Sequence, residues 1–479
     1  MGPMTADPAA ENPAVLRATE LADPALALAP HRYAAALGRF VAASPTSYHA
    51  VAEVARLLEE GGFHRLDERD AWPTTGTGGE RPSSGREAGG ARRYVVRDGA
   101  IVAWALPAGA TPTTPLRVLG AHSDSPGFRL KPQPTVLARG WVQAGVEVYG
   151  GPLLTSWLDR ELELAGRLVT RDGGEHLVCT GPMLRIPQLA VHLDRDAHAG
   201  VTLDKQRHTM PVLGVVDAHE RGVVDAHEHD VVTLLARSAG LEAGDVVGYD
   251  VALADTQEPR AFGLGGELLA SGRLDNLSSV FAGLVALLGT GSEDEDARRS
   301  SGSPVIPVLA CFDHEEVGSA SRSGAAGPFL ADVLGRVQDG LGGGAEDRAR
   351  ALAASWCLSA DAGHSVHPNY PEKHDPVVQP VAGAGVLLKI NANQRYTSDA
   401  HGAAAWARWC EGAGVATQPF VSNNDVPCGS TIGPITATRL GIRTLDVGVP
   451  LLSMHSAREL AHTADLAGLA RAAGAFFSS

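Results

Sequence analysis

The sequence predicts an α/β protein: a three-layer α/β/α domain on a mostly parallel sheet, interrupted by an inserted β-rich domain. Three observations lead there. Strand-like runs at 116–121, 305–312, 355–360, 385–390, 415–421 and 444–449 have helical stretches between several of them, at about 329–337, 398–413 and 430–440. Such alternation builds a parallel sheet covered on both faces. Between about 127 and 262 the texture changes to short β-like runs separated by turn residues. The chain also has 479 residues, more than one core usually spans.

Residues 1–30 are Ala/Pro/Asp/Glu-rich and read as a disordered N-terminal tail. The catalytic unit is assigned to 31–126 and 263–479, and the insertion to 127–262. Residues 32–62 carry helical spacing, with Val51, Val54, Ala55 and Leu58 on one face. A Gly/Ser/Pro-rich loop spans about 73–91. Asp98-Gly99 joins Arg92–Arg97 to Ala100–Ala105 as a hairpin. Inside the insertion, runs such as Trp141–Val148, Leu164–Thr170 and Val246–Ala254 read as strands. There Gly-Val-Val-Asp-Ala-His-Glu occurs twice, at 214–220 and 222–228, and brings His219 near His227. A duplicated surface loop explains it more simply than a metal tract. Leu274, Leu277, Phe281, Leu284 and Leu288 fall at helical spacing, and 289–303 is a polar loop. Ser456 and Glu459 fit a capping box that opens the last helix.

Composition narrows the partners. Hydrophobic residues make up 44% and charged residues 20%, an ordinary globular balance. A net charge of −15 argues against nucleic acid and anionic membrane, and requires a local cationic pocket for any anionic substrate. Five scattered cysteines without a C-x-x-C read as buried free thiols in a reducing compartment. No apolar run reaches membrane-spanning length and no signal-peptide pattern opens the chain, so the expectation is a soluble cytoplasmic protein.

The chemistry gathers at strand ends, where α/β sheets bind ligands. His122 and Asp124 follow one strand, Glu315-Glu316 another, Asp361 and His364 a third, and His455 lies beyond a fourth. Asp275 stands at a helix start. Adjacent carboxylates at the mouth of a core repel unless a cation joins them or one is protonated. Each of these residues alone has an ordinary structural explanation; their joint placement points to divalent metal. Five ligands serve two ions if one carboxylate bridges. Asp275 is taken as the bridge, with His122 and Asp361 on one ion, and Glu316 and His455 on the other. Asp124 is the acceptor that orients the His122 imidazole. Glu315 remains as general base for a water acidified by an ion pair roughly 3.5–4 Å apart.

Seven motifs, taken together and in order, resemble the aspartyl aminopeptidase family, co-catalytic zinc enzymes that remove N-terminal Asp or Glu. They are G-A-H-S-D-S-P-G-F-R-L-K-P (120–132), R-L-D-N-L (273–277), F-D-H-E-E-V-G-S (312–319), S-A-D-A-G-H-S-V-H-P-N-Y (359–370), K-I-N-A-N-Q-R-Y (389–396), N-D-V-P-C-G-S-T-I-G-P (424–434) and M-H-S-A-R-E (454–459). The resemblance implies the same ligands and base, and two ions, Zn2+ first, with Mn2+ or Co2+ as alternatives. It implies a dimerisation role for the insertion and a tetrahedral homododecamer built from dimers. Lys389, at the end of a strand-like run, is the cation for the acidic side chain, and the resemblance points to the same residue; Tyr396 offers a hydroxyl donor, and His364 a partner for the tetrahedral oxyanion or the substrate carbonyl. His192 is implied to reach a neighbouring subunit's site, although Gln188 stands where some members carry a further histidine. Two rivals keep the scaffold: a dinuclear aminopeptidase or amidohydrolase of broader or neutral specificity, and a non-catalytic compartment-forming protein.

Overall fold

The computed structural model describes residues 15–73, 91–195, 200–215, 230–290 and 304–479. The loop at 74–90, both histidines of the repeated heptad and the polar loop at 291–303 lie outside them. The tail expectation fails for 15–29. Helix α1 (Ala18–Leu21) forms there, and Leu16, Leu21 and Leu26 are buried. Three leucines supply the apolar area that the Ala/Pro-rich composition hides. The 32–62 segment resolves into α2 (Pro30–Ala42), with proline in its first turn, and α3 (Ser47–Glu60), capped by Thr46.

Strands β1 (His64–Arg65), β2 (Arg92–Arg97), β3 (Ala100–Ala105) and β4 (Leu116–His122) open the main sheet. The chain then leaves for the insertion: β5 (Gly127–Ala138), β6 (Trp141–Tyr149), β7 (Leu162–Thr170), β8 (Glu175–Cys179), β9 (Val212–Val215), α4 (Val231–Ser238) and β10 (Val246–Asp255). These strands form one antiparallel sheet in the order β8-β7-β10-β5-β6-β9, with Val231 and Leu235 of α4 in its core.

The chain returns through β11 (Arg260–Phe262), β12 (Leu268–Ser271), α5 (Leu274–Gly289), β13 (Ile306–Phe312), α6 (Phe329–Gly340), α7 (Ala345–Ala354), β14 (Trp356–Ala360) and β15 (Gly363–His364). It closes with β16 (Val386–Lys389), α8 (Ala400–Gly412), β17 (Thr417–Phe420), α9 (Ile432–Leu440), β18 (Arg443–Gly448), β19 (Pro450–Leu452), β20 (Glu459–His462) and α10 (Thr463–Phe477). The main sheet runs β1-β2-β3-β13-β4-β14-β18-β16-β17. Its middle, β13-β4-β14-β18, is parallel throughout, while β3 and the β16–β17 pair run against their neighbours. The alternation on β3 shows the three layers. Ile101 and Ala103 pack with α2, α3, α5, α8 and α10, and Val102 and Trp104 pack with α6 and α9.

A third sheet, β11-β12-β20-β19-β15, has no counterpart in the sequence reading. β11 already pairs with β12 from Arg260, a few residues before the expected boundary at 263. It also overturns the Ser456/Glu459 capping box. Helix α10 starts at Thr463, where His462 Nδ1 accepts from the Ala464 amide at 3.2 Å, and Glu459 belongs to a strand. All five cysteines are free, but Cys179 is exposed and Cys428 half-buried, against the expectation of burial. Among the described residues no helix is long and apolar enough to cross a membrane.

Candidate metal centre

β4 is the middle of three parallel strands and ends on His122. Beside it, β13 leads through Asp313 and His314 to a short 3-10 turn, Glu315–Val317. On the other side, β14 leads directly to Asp361. Next to Asp361, β18 ends at Gly448, where a Cβ would stand 1.8 Å from the Asp361 carbonyl oxygen, so only glycine fits. The third sheet supplies the rest. β12 leads into α5 and Asp275, and the turn between β19 and β20 carries His455. Three residues of these segments, Arg273, His314 and His455, hold left-handed φ values of 58°, 64° and 66°.

The side chains form one chain of contacts. His122 Nε2 lies 3.2 Å from Asp275 Oδ1 and 3.5 Å from Asp361 Oδ1. His455 Nε2 lies 3.5 Å from Asp275 Oδ2 and 3.5 Å from Glu316 Oε2. Asp275 thus turns one oxygen to each imidazole. Donor atoms of His122, Asp275 and Glu316 all lie within 4.8 Å of one another. Asp275 Oδ1 and Glu316 Oε1 are buried yet accept no well-formed hydrogen bond. Buried, unsatisfied carboxylate oxygens, one of which (Asp275 Oδ1) faces the His122 Nε2, are what a divalent cation satisfies.

The electrostatics carry the same strain. Burial pushes Glu315 up to about 7, with Asp361 and Asp275 adding to the rise and His122 opposing it. Burial, with Asp275 beside it, holds Glu316 well above the carboxylate range. Burial opposes charge on His455, yet Asp275 and Glu316 raise it to about 10. His122 is likewise raised, against its burial, by Asp124, Asp275 and Asp361. Bound cations would compensate the charge of this acidic cluster.

The bonds behind the cluster differ from the reading in one respect. The acceptor for His122 Nδ1 is the Asp124 backbone carbonyl, at 3.0 Å, while the carboxylate is 3.5 Å away. That carboxylate accepts instead from the amides of Glu315 and Glu316, each at 3.1 Å, and from the Tyr149 hydroxyl at 2.7 Å. It takes up the two amides that open the turn beyond β13, adding to the turn's own Gly318 and Ser319 amide bonds. His455 Nδ1 meets the Gly151 carbonyl at 3.0 Å, which leaves Nε2 for the centre. Tyr149 and Gly151 both follow from β6, so the insertion braces the centre directly.

Lys389 is buried and sits beside the cluster. Its Nζ donates to the Ala362 carbonyl at 2.6 Å and to Asp361 Oδ2 at 3.4 Å. Because β16 runs antiparallel to β18, the long side chain reaches back toward the sheet's active edge. Tyr396 presents its ring to that ammonium, 5.3 Å away, rather than its hydroxyl. A cavity of ≈ 250 Å3 opens beside Tyr396, lined also by His364, Lys373, His374, Phe420 and Cys428, and Lys389 is not among its lining residues. His364 is exposed and opens onto this cavity, yet desolvation by the surrounding protein, with Lys389 next, lowers its pKa to about 4. His192 is exposed on an insertion loop and lines neither this cavity nor the one between the insertion and Asp275. Glu459, read from the sequence only as part of a helix cap, is 2% exposed and contacts the backbone of both Asp275 and His455.

Residues 40–477 match the family model of the aminopeptidase I zinc metalloproteases, M18. A probable M18 family aminopeptidase 2 from Streptomyces avermitilis is 50% identical over 439 residues, covering 91% of this chain and 95% of that protein. Another from Pseudomonas syringae pv. tomato is 44% identical, covering 92% and 96%. Among solved structures, a chain of the Ape4 and Nbr1 complex superposes with a TM-score of 0.87 at 33% identity, over 95% of this chain and 87% of that one. The yeast mApe1 dodecamer gives 0.76 at 28%, over 93% and 96%. A match along nearly the whole length, with this metal-ready cluster at the sheet edge, shows that the chain belongs to the M18 family of zinc metallo-aminopeptidases.

Proposed function

We propose that this chain removes acidic residues, Asp or Glu, from peptide N-termini at a centre that holds two divalent ions. The observation that carries the two-ion reading is Asp275, whose Oδ1 and Oδ2 face different imidazoles. His122 and Asp361 would hold one zinc, Glu316 and His455 the other, and Asp275 both. The bound pair supplies Lewis acidity and a water acidified to about pKa 7.

The chain's own residues do the rest. Glu315, with a pKa near neutrality, takes a proton from the attacking water and returns it to the leaving amine. Asp124 holds Glu315 in place through its backbone amide. Neutral His364 donates to the carbonyl oxygen as charge develops there. The cavity lined by Tyr396 receives the acidic side chain, and the Lys389 ammonium, buried 5.3 Å from the Tyr396 ring centroid, offers it a charge-assisted bond once it turns toward the cavity. A homo-oligomer fits the exposed Trp141, Leu189, Val191 and Leu193 of the insertion. The yeast neighbour's dodecamer suggests the assembly, with His192 reaching a neighbouring copy.

One observation favours broader specificity: Lys389 already has two partners, so its charge is partly spent. Hydrolysis of an N-terminal Asp peptide against its Leu counterpart, before and after chelation, separates the readings. A chelator-sensitive preference for Asp supports the proposal. Leu hydrolysis alone discards Lys389 as selector, and metal-loaded protein inert on both peptides points to a scaffold.

A further inference from the structure

Glu459 sits at the start of β20, 2% exposed, and both its oxygens are engaged. Oε1 accepts from the His455 amide at 2.9 Å, and Oε2 accepts from the Asp275 amide at 3.0 Å. One side chain therefore ties together two backbone segments 184 and 4 residues away. These segments carry the two side chains that face each other at 3.5 Å across the centre. An amide proton is two bonds from its own Cα, so the tie acts close to where each side chain begins. His455 also holds a left-handed φ of 66°, which a non-glycine residue keeps only when its surroundings impose it.

His122 and Asp361 lie outside this tie. They leave β4 and β14, whose parallel pairing fixes them independently. Of the residues that would hold the ions, His122 and Asp361 rest on the main sheet, whereas His455 rests on Glu459, as does Asp275, which the two sites share.

We propose that Glu459 is a positioning residue that sets the spacing between Asp275 and His455, and so governs occupancy of the site shared by His455 and Glu316. The proposal rests on the two-ion reading. Glutamine at 459 offers one acceptor oxygen and one donor group in the same volume. One of the two amides would then face an N–H instead of an oxygen.

The test uses full-length protein with zinc, dialysed against a series of metal buffers, with metal per chain measured by mass spectrometry. Wild type should hold two ions. Glu459→Gln should bind the ion at His455 and Glu316 about 10–100-fold more weakly, the usual cost of losing an outer partner of a metal ligand, and the other ion, which shares only Asp275 with the tie, by a clearly smaller factor. Turnover should fall with KM little changed. Two ions held as tightly as in wild type overturn the proposal alone. Weakening of both ions by the same factor also overturns it, because Glu459 then acts on the whole centre and not on the His455 side. A wild type that holds one ion overturns the two-ion reading and the proposal with it. A measurement on wild type covers a variant that fails to fold. In metal-free protein the Asp275 and His455 amides should exchange slowly with deuterium, and exchange at the unprotected rate refutes the tie.

Discussion

Tyr149→Phe removes one oxygen from the insertion and is expected to slow a reaction whose residues lie in the other domain. The Tyr149 hydroxyl donates to Asp124 Oδ2 at 2.7 Å. The same carboxylate holds the amides of Glu315 and Glu316. The ring stacks under Arg129, whose guanidinium carbon is 3.8 Å from its centroid, and phenylalanine preserves that contact. Burial and Asp124 hold the phenol pKa far above its usual value, so the hydroxyl remains a donor across the working pH range. A hydrogen bond to a charged acceptor contributes about 1.5–3 kcal/mol. At about 1.4 kcal/mol per decade, its full transmission to the transition state is a roughly 10–150-fold loss in turnover. Steady-state kinetics on an Asp peptide, with metal content measured in parallel, should show kcat down by about tenfold or more at unchanged metal and nearly unchanged KM. Wild-type kcat in the variant refutes the idea that this bond holds the Glu315 turn.

Three further outcomes follow from the same geometry. Glu315→Gln keeps the side chain's shape but removes the proton acceptor, so kcat should drop by about 10²–10⁴ while metal stays bound; equal activity rules out Glu315 as base. Lys389→Met should collapse the ratio of Asp to Leu hydrolysis by about tenfold or more, since a charge-assisted bond is lost; an unchanged ratio assigns selection elsewhere. Asp465 accepts from Gly383 and Gly385 amides, yet burial raises its pKa to about 6. The folded chain therefore binds the extra proton between about pH 4 and 6, and stability falls as pH rises through that window. Asp465→Asn should flatten this slope by up to about 1.4 kcal/mol per pH unit in denaturant titrations. A wild-type-minus-variant difference that does not change with pH contradicts it.

The strands and helices were legible because their periods are local, and β13, β14 and β18 fall within a residue or two of the apolar runs that announce them. The residues of the centre were legible for a different reason: each follows a strand end or opens a helix, where ordinary folding seldom concentrates carboxylates and imidazoles. Glu459 escaped because Ser456-x-x-Glu459 fits a helix cap, and nothing local says that its partners are Asp275 and His455. Asp124 was read by proximity to His122. Its carboxylate instead serves a turn 191 residues away, which only the pairing of β4 with β13 brings near. The 15–29 segment was misread because mean composition outweighed three well-spaced leucines.

The left-handed conformations at Arg273, His314 and His455 bear on how this protein could adapt to heat. Each is disfavoured for a residue with a side chain, by about 1–2 kcal/mol. Glycine would relieve all three, but not with equal freedom. At 455 it deletes an imidazole of the centre, and at 273 it cuts the guanidinium bond to the Val41 carbonyl. At 314 it gives up a contact with Ser321 Oγ and loosens the turn that presents Glu315. These three gains in backbone comfort are therefore closed to selection as long as turnover matters, whereas left-handed residues away from the centre, such as Gln133 and Arg139, stay open to it. Thermal adaptation of this chain must run through its helices, loops and subunit contacts, leaving the sheet edge as its most conservative ground.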